Sequence, residues 1–550
     1  MGEVHIVGVI TSIALMAFFI YLGAVAKKQV TSAEGYFTAG RSIGAFINGF
    51  ALVSSYLSLA AFLGYTGMVW SVQGQLPVLT QAWMAGFALM IPLLIGPLRS
   101  LEEYTIAGYV GRRFQSANAR MIAILFMILV MTMYSVGQMK GMANLFEMLL
   151  GISYLPGLIL AAVIIISYMI FGGMYGVSWT QAAQGIILVV TIFISVMGIL
   201  KAVGANVWFL PFWGYGNMVP TMIEVFPQFF EKMFAPFASM KWYVSLIPSC
   251  ILATSTLPHY VNRVASSKNI HESRKAFVIG LVFIGMVNML TYAAGFSGLI
   301  YQLRENIPAE LFKPDQIILI LSQVFMGDFG FAIVVAGAVS AGISTIAGGL
   351  MVIGTGIAHD IIGNVKVMTP EQKQSLAPKA IVAAGIGITL ITVQPPAFIL
   401  SSVIWAIIIS GCAFFAPLIM GIWWKGANKY GAIASMLTGG ILSLFNASWA
   451  HPTLAWSPML SKAAFGPVPY GGIFAIPASL IVMILVSIIT NKMPSLAASL
   501  SKEREKTDEI VEIMHGWPEN VRKGSRRYTE NMGPIIILIL SVIMLIYSFS

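Results

Sequence analysis

Charged residues are few in this chain: Asp, Glu, Lys and Arg make up 9% of its 550 residues, where an average soluble domain carries roughly 25%. In their place, apolar runs of ~17–25 residues recur along nearly the whole length, each long enough to cross a bilayer as a helix. Such continuous runs exclude a β-barrel, whose strands would be alternating segments of about 10 residues. With a mean hydropathy of +0.85, the shortage of charge excludes a water-soluble fold and predicts a polytopic helical membrane protein.

Cysteine and histidine are scarce as well. The two cysteines, Cys250 and Cys412, lie inside apolar runs, which indicates small buried hydrophobic side chains rather than a disulfide framework. The six histidines have no Cys or carboxylate at metal-ligand spacing, so no zinc-type site is predicted. Because the apolar runs bring together no His, Cys or acidic groups, we expect a protein that is not an enzyme and needs no organic cofactor.

The apolar runs divide into fourteen predicted membrane spans. They cover residues 5–26, 43–68, 77–98, 121–150, 156–174, 179–201, 243–262, 275–301, 327–358, 378–394, 397–424, 429–448, 472–491 and 533–549. The first run has no Lys or Arg before it, which predicts a retained span rather than a signal peptide. If that span begins outside, most of the 31 Lys and Arg residues fall in inner loops, as the positive-inside rule requires. We therefore expect an integral plasma membrane protein with both termini extracytoplasmic, in a pattern that fits a prokaryotic inner membrane.

The net charge of +10 follows from this topology and does not indicate a nucleic-acid partner. Segment 492–532 mixes both signs, which predicts a solvated cytoplasmic helix and linker with some affinity for anionic membrane lipid. The aromatic, Pro- and Gly-rich segment 205–242 predicts short helices at the outer interface. Lys140 is a base in the middle of a predicted span, and it either reaches toward the membrane boundary or faces an anion pathway.

Polar side chains cluster at three places inside the apolar runs, where each is costly unless it faces a cavity or an ion. The clusters lie in the second, seventh and ninth predicted spans: Ser54, Ser55, Ser58, Gly64 and Thr66; Thr254, Ser255, Thr256, Pro258, His259 and Asn262; and Ser340, Ser344 and Thr345. Pro258 lacks a backbone donor, and glycine permits unwinding near Gly64. Freed carbonyls and hydroxyls would together form an all-oxygen site that suits Na⁺. The alternative is that these small residues only pack helices together.

The second and seventh spans lie five spans apart, which is typical of inverted-repeat secondary transporters with broken helices. The sequence therefore predicts an all-α polytopic fold with a 5+5 core. Its predicted parts are an N-terminal span outside the core (1–34), a first repeat (35–204), an extracellular interfacial loop (205–242), a second repeat (243–424), and three C-terminal spans with the charged segment (425–550).

Three motifs resemble the sodium:solute symporter family, in a likeness that covers residues 5–450. They are GYFTAGRSIGAF at 35–46, FGGMYGVSWTQ at 171–181, and ISTIAGG at 343–349 before AHDII. The segments YSVGQMKGMANLFEMLLGISY and LPHYVNR are most similar to the acetate and short-monocarboxylate permeases of that family. The resemblance implies a LeuT-type core and the uptake of a small organic solute by alternating access, with Na⁺ as the coupling ion.

The resemblance also implies the residues that bind sodium. Aligned on the FLG at 62–64, it places two backbone carbonyls on Ser54 and Leu57. Aligned backward from the HD at 359–360, it places a third carbonyl on Ala341 and two hydroxyls on Ser344 and Thr345. Ser54, Ser344 and Thr345 also belong to the polar clusters of the second and ninth predicted spans.

Two departures from the family concern the solute and the stoichiometry. Sugar-type members carry Gln where this chain has Ala61, so a polyhydroxylated solute would lose a partner. Other members carry Asp where this chain has Gln181, which argues against a second sodium ion.

The candidate solute-binding residues are Ser58, Ala61, Thr256 and His259. The alternatives are the same fold carrying an amino acid, pantothenate or an osmolyte, a proton-coupled carrier, or a transporter-like sensor. The sequence indicates no oligomeric state.

Overall fold

The computed structural model is all-helical over the residues that it describes. These are residues 5–30, 32–72, 76–169, 173–204, 214–228, 240–311, 313–366, 368–395, 399–447, 471–516 and 532–549. The predicted loop 205–242 and the charged segment 492–532 lie partly outside this set, as do the first two residues of FGGMYGVSWTQ. One β-bridge occurs within the set, between Ile43 and Ser267, and it is isolated.

The first predicted repeat follows a single membrane helix, α1 (Ile6–Lys27). Its helices are α2 (Ala33–Thr38), α3 (Ala45–Tyr56), α4 (Tyr65–Val72), α5 (Leu76–Leu93), α6 (Ile95–Leu101), α7 (Ile106–Arg113), α8 (Ala117–Leu150), α9 (Tyr154–Met169) and α10 (Gly173–Ala202). A π-helical turn, Ala60–Gly64, leads into α4. The second predicted span is thus a broken helix, bent by 57°.

The second predicted repeat begins after a separate helix, α11 (Gly214–Val225). Its helices are α12 (Met240–Thr254), α13 (Pro258–Ser266), α14 (Ile270–Arg304), α15 (Ile317–Thr355), α16 (Pro370–Thr392) and α17 (Ile399–Trp423). Four helices follow it: α18 (Lys429–Ala447), α19 (Gly471–Lys492), α20 (Pro494–His515) and α21 (Met532–Phe549).

Local sequence sets several helix boundaries. Ser116 caps the start of α8 by accepting from the Ala119 N–H at 3.2 Å, and Gly151 ends that helix in the left-handed region at φ 63°. Both are standard devices for satisfying the unpaired groups at helix ends. Thr369 and Gln372 form a reciprocal capping box at the start of α16, which satisfies two further backbone donors.

Helices occupy all fourteen predicted spans. Among the described residues, eight helices are long and apolar enough to cross a membrane alone, and two bent pairs raise that number to ten. The other predicted spans coincide with α9, α12 and α13 together, α18 and α21, so the number fourteen stays a prediction. The predicted all-α polytopic class with broken helices is confirmed.

The second, sixth and ninth predicted spans meet at the centre of the fold. Helix α3 packs against α10 and α14, and α15 packs against α10 and α8. A Cβ at Gly185 of α10 would lie 2.2 Å from the Phe50 carbonyl oxygen of α3, so only glycine allows this approach. The polar residues of these spans therefore face one another rather than lipid.

Ion pairs connect the helix ends near Arg120 and Asp360, here called the arginine-rich ends. The fully buried Asp360 carboxylate accepts from the Thr105 hydroxyl at 2.6 Å and lies 3.5 Å from Nε of Arg120. Helix α20, which occupies part of the predicted segment 492–532, is held to the start of α18 by a 2.8 Å ion pair between Lys429 and Glu503. A helix is thus present in this segment, but Ile510, Val511 and Met514 on it are buried, so one side of it is packed rather than solvated as the sequence predicts.

Candidate functional site

The second predicted span breaks at Leu57, which leaves the helical region at φ −77° and ψ 59°. The Ser58 N–H donates at 2.8 Å to the carbonyl two residues before it. The Leu59 N–H donates at 2.9 Å to Oε1 of Gln138 on α8. In a continuous helix the Ser58 N–H would bond the Ser54 carbonyl. The Ser54 carbonyl is therefore left without its helical donor.

This break lies earlier than the sequence suggests. The expected unwinding near Gly64 is not observed, because residues 60–64 form a continuous π-helical turn. The chain opens instead in a serine-rich stretch, where the Gln138 side chain accepts from the released amide. The sequence does not single out Gln138, because it lies 79 positions from the Leu59 amide that it accepts from.

Oxygen atoms from the broken span and from α15 converge beside the break. The Ser344 hydroxyl donates to the Ser54 carbonyl at 2.9 Å and lies 3.0 Å from the Ala341 carbonyl. The Thr345 hydroxyl lies 3.5 Å from the same Ser54 carbonyl. All four residues are buried, and Leu57 lies at the break itself. The structure thus places the five predicted sodium residues around one break, with two carbonyls and two hydroxyls in mutual contact.

A buried polar network supports this oxygen cluster. Nε2 of Gln181 on α10 donates to the Ser344 carbonyl at 2.5 Å, and its Oε1 accepts from Arg263 of α13. The second guanidinium nitrogen of Arg263 donates to the Ser178 hydroxyl at 2.8 Å. Within the described part of the chain no carboxylate forms an ion pair with Arg263. Its charge is therefore held by neutral oxygens close to the cluster.

The seventh predicted span breaks between α12 and α13. Leu257 is extended, and Pro258 opens α13, where its missing N–H has no helical partner to lose. The Thr256 hydroxyl donates to the Ala253 carbonyl at 2.8 Å, and the Ser410 hydroxyl of α17 donates to the Thr256 carbonyl at 2.9 Å. The seventh predicted span is thus a broken helix, and it lies in the second predicted repeat as the second span lies in the first.

A small cavity, with a free volume of about 10 Å³, lies between the two breaks. Its polar lining consists of hydroxyl groups, and its remaining walls are aromatic and aliphatic. The hydroxyl-bearing residues are Tyr56, Ser58, Tyr65, Tyr134, Thr254 and Tyr260. None of the described residues that line it carries a charge. Ser58 follows Ser54 by four residues, across the break, so the cavity adjoins the oxygen cluster.

The four candidate solute residues have different relations to this cavity. Ser58 lines it, and Ala61 lies one residue beyond Ala60, which also lines it. Thr256 is buried against α17. His259 is buried one layer behind the wall, with its ring centroid 4.1 Å from that of Tyr260, and neither ring nitrogen has a hydrogen-bond partner among the described residues.

The comparisons with known proteins agree with this geometry. The profile of the sodium:solute symporter family matches residues 36–439, most of the chain. The chain belongs to the sodium:solute symporter family. Family membership makes it an integral membrane transporter of a small-molecule substrate, with sodium as the coupling ion.

Two relatives of this sodium:solute symporter extend the comparison. The uncharacterized symporter YwcA of Bacillus subtilis (strain 168) is 25% identical over 479 residues, which cover 84% of this chain and 91% of that protein. A Na⁺-coupled sialic acid symporter, solved substrate-bound and outward-open, superposes with a TM-score of 0.73 at 18% identity. The superposition covers 88% of this chain and 98% of the sialic acid symporter, so the two proteins share the LeuT-type fold.

Proposed function

We propose that this symporter imports a short monocarboxylate such as acetate, driven by Na⁺, through alternating access. The proposal depends chiefly on one juxtaposition: an all-oxygen cluster adjoins a small, uncharged, hydroxyl-lined cavity at the break of a single helix. Na⁺ bound to Ser54, Leu57, Ala341, Ser344 and Thr345 would hold the broken span against α15. When those helices part, its oxygen ligands separate and the ion leaves.

The cavity favours a small anionic solute. Its free volume of about 10 Å³ is room for about one water molecule, far below the ~300–1,000 Å³ that is usual for sites of drug-sized ligands. A solute therefore enters only when the cavity widens, and the smallest solutes need the least widening. Hydroxyl groups donate to a carboxylate, and the start of α13 adds the partial positive charge of a helix N-terminus. Among the described residues no acid lines the cavity, so an amine would have no counter-ion there. A sugar acid of the kind that the sialic acid symporter's name states would need more room.

Radiolabelled acetate uptake into proteoliposomes tests this proposal. We expect an inward Na⁺ gradient to drive accumulation, and propionate, pyruvate and lactate to compete while proline and glucose do not. Na⁺-driven uptake of proline in place of acetate would contradict the solute and keep the ion site. Uptake that follows a proton gradient alone would contradict the assignment of the oxygen cluster to sodium.

We further propose a stoichiometry of one Na⁺ per monoanion. Gln181 is neutral where a carboxylate would attract a second cation, and the Arg263 guanidinium already supplies a fixed positive charge beside it. Such a cycle moves no net charge, so the membrane potential, worth ~2.3 kcal/mol per charge per 100 mV, adds no driving force. We expect the initial uptake rate to be unchanged when valinomycin and K⁺ clamp the vesicles at an inside-negative potential. A rate that rises with that potential would show a second coupled cation.

The proposal includes an orientation in the membrane. The arginine-rich ends that carry Arg120 and Asp360 face the cytoplasm, as the positive-inside rule favours. The opposite ends, including the turn before α15, then face outward.

A further inference from the structure

A buried ion pair joins three elements on the side away from the arginine-rich ends. Nζ of Lys140, on α8, lies 3.9 Å from Oδ2 of Asp315, and the two side chains are 10% and 12% exposed. Asp315 lies in the short turn Pro314–Gln316 that precedes α15. Its carboxylate also interacts with the backbone amide of Ile399, at the start of α17, where a negative charge is favoured.

The pair lies over the solute cavity. Lys140 follows the cavity-lining Tyr134 by six residues, so it lies about 9 Å further along α8 at 1.5 Å per residue, in the direction away from Arg120. The turn itself packs onto α4, the outer half of the broken span. A Cβ at Gly67 would lie 2.0 Å from the Pro314 carbonyl oxygen, and Tyr65, two residues earlier, lines the cavity.

Because it is buried, this ion pair adds little net stability. Desolvation of two charges offsets most of their attraction, so apolar residues of equal volume would hold the turn at least as well. A charge pair differs from an apolar contact in that both groups regain hydration when they separate. It therefore suits a contact that opens and closes.

We propose that Lys140 and Asp315 form the latch of an outer gate that closes the turn Pro314–Gln316 over the solute cavity. In the closed arrangement the pair joins α8, the turn and α17. When the turn lifts from α4, the pair separates and the cavity opens outward. The latch explains why a base lies within α8, and it does not depend on which solute the cavity binds.

Cysteine labelling in intact cells tests the latch. The background lacks thiols (Cys250→Ala, Cys412→Ala), and the reporter is Ala60→Cys on the cavity wall. We expect Lys140→Met, Asp315→Asn and the double variant to raise its labelling rate by a membrane-impermeant maleimide about tenfold, a typical size for a coupled equilibrium. The charge swap Lys140→Asp with Asp315→Lys should reverse part of this increase.

A second reporter controls for reagent access. Glu310→Cys lies in the exposed turn Ala309–Leu311, and its labelling rate should be the same in every variant. The double neutral variant leaves no lone buried charge, so it keeps the test valid where a single variant folds poorly. Equal labelling of Ala60→Cys in all variants would show that the pair only holds the structure together. Because labelling needs no solute, this result stands apart from the acetate experiment.

Discussion

Ser344→Ala is expected to reduce Na⁺-dependent uptake sharply at Na⁺ concentrations that half-saturate the unmodified protein. Its hydroxyl contacts both the Ser54 carbonyl of the broken span and the Ala341 carbonyl of its own helix, so its loss removes an oxygen from the centre of the proposed site. A hydrogen bond or ligand contact to a charged group contributes about 1.5–3 kcal/mol. At 1.4 kcal/mol per factor of ten, the apparent Na⁺ affinity should fall roughly tenfold to a hundredfold. Uptake measured as a function of Na⁺ concentration checks this.

Neighbouring hydroxyls supply matched controls for that result. Thr345→Ala should weaken apparent Na⁺ affinity in the same direction, while Thr345→Ser keeps the oxygen and should remain close to the unmodified protein. Ser340→Ala removes a buried hydroxyl one turn earlier on the same helix, which donates to the Ala336 carbonyl at 2.8 Å. It should leave the Na⁺ dependence unchanged. If Ser340→Ala and Ser344→Ala shift it equally, the hydroxyls matter for helix packing and not for the ion.

Much of this site could be predicted because its signals are local. Hydroxyls in apolar runs are costly wherever they lie, so Ser344 and Thr345 stand out in the sequence without any structure. Pro258 likewise marks the start of α13 by its own chemistry. The resemblance to the family then assigned carbonyl roles to Ser54, Leu57 and Ala341, which composition alone does not identify.

The remaining features depend on contacts between distant segments. The position of the break in the second span depends on Gln138, a side chain from another helix that accepts from the Leu59 amide. The cavity is lined by Tyr56, Tyr134 and Tyr260, and aromatic residues in apolar helices have the same pattern whether they line a cavity or fill a core. The bend at the seventh span decides that Thr254 lines the cavity while Thr256 contacts α17. The hydrophobic periodicity of the sequence does not predict which of these two threonines faces the cavity.

The contact between Gln181 and Arg263 is the most consequential of these distant contacts. One amide group accepts from the guanidinium and donates to the Ser344 carbonyl, so it connects α13, α10 and α15 at their crossing. An apolar side chain at this position would leave both the guanidinium and the carbonyl without that partner. Buried groups left unsatisfied cost about 1–3 kcal/mol each, and charged groups cost more.

Gln181→Leu should therefore lower the free energy of unfolding of the purified symporter by at least about 2–3 kcal/mol. The fraction of the variant that remains folded should bind Na⁺ more weakly. Gln184→Leu is the matched control, because Gln184 is fully buried on the same helix and neither of its amide atoms has a hydrogen-bond partner among the described residues. Replacing that amide should leave the melting temperature in detergent equal or higher. Gln181→Glu keeps the pairing with Arg263 but cannot donate to the Ser344 carbonyl, so it should recover only part of the stability, while its added negative charge should raise apparent Na⁺ affinity. If Gln181→Leu and Gln184→Leu melt alike, Arg263 does not depend on Gln181. The oxygen cluster would then be held in place by helix packing alone.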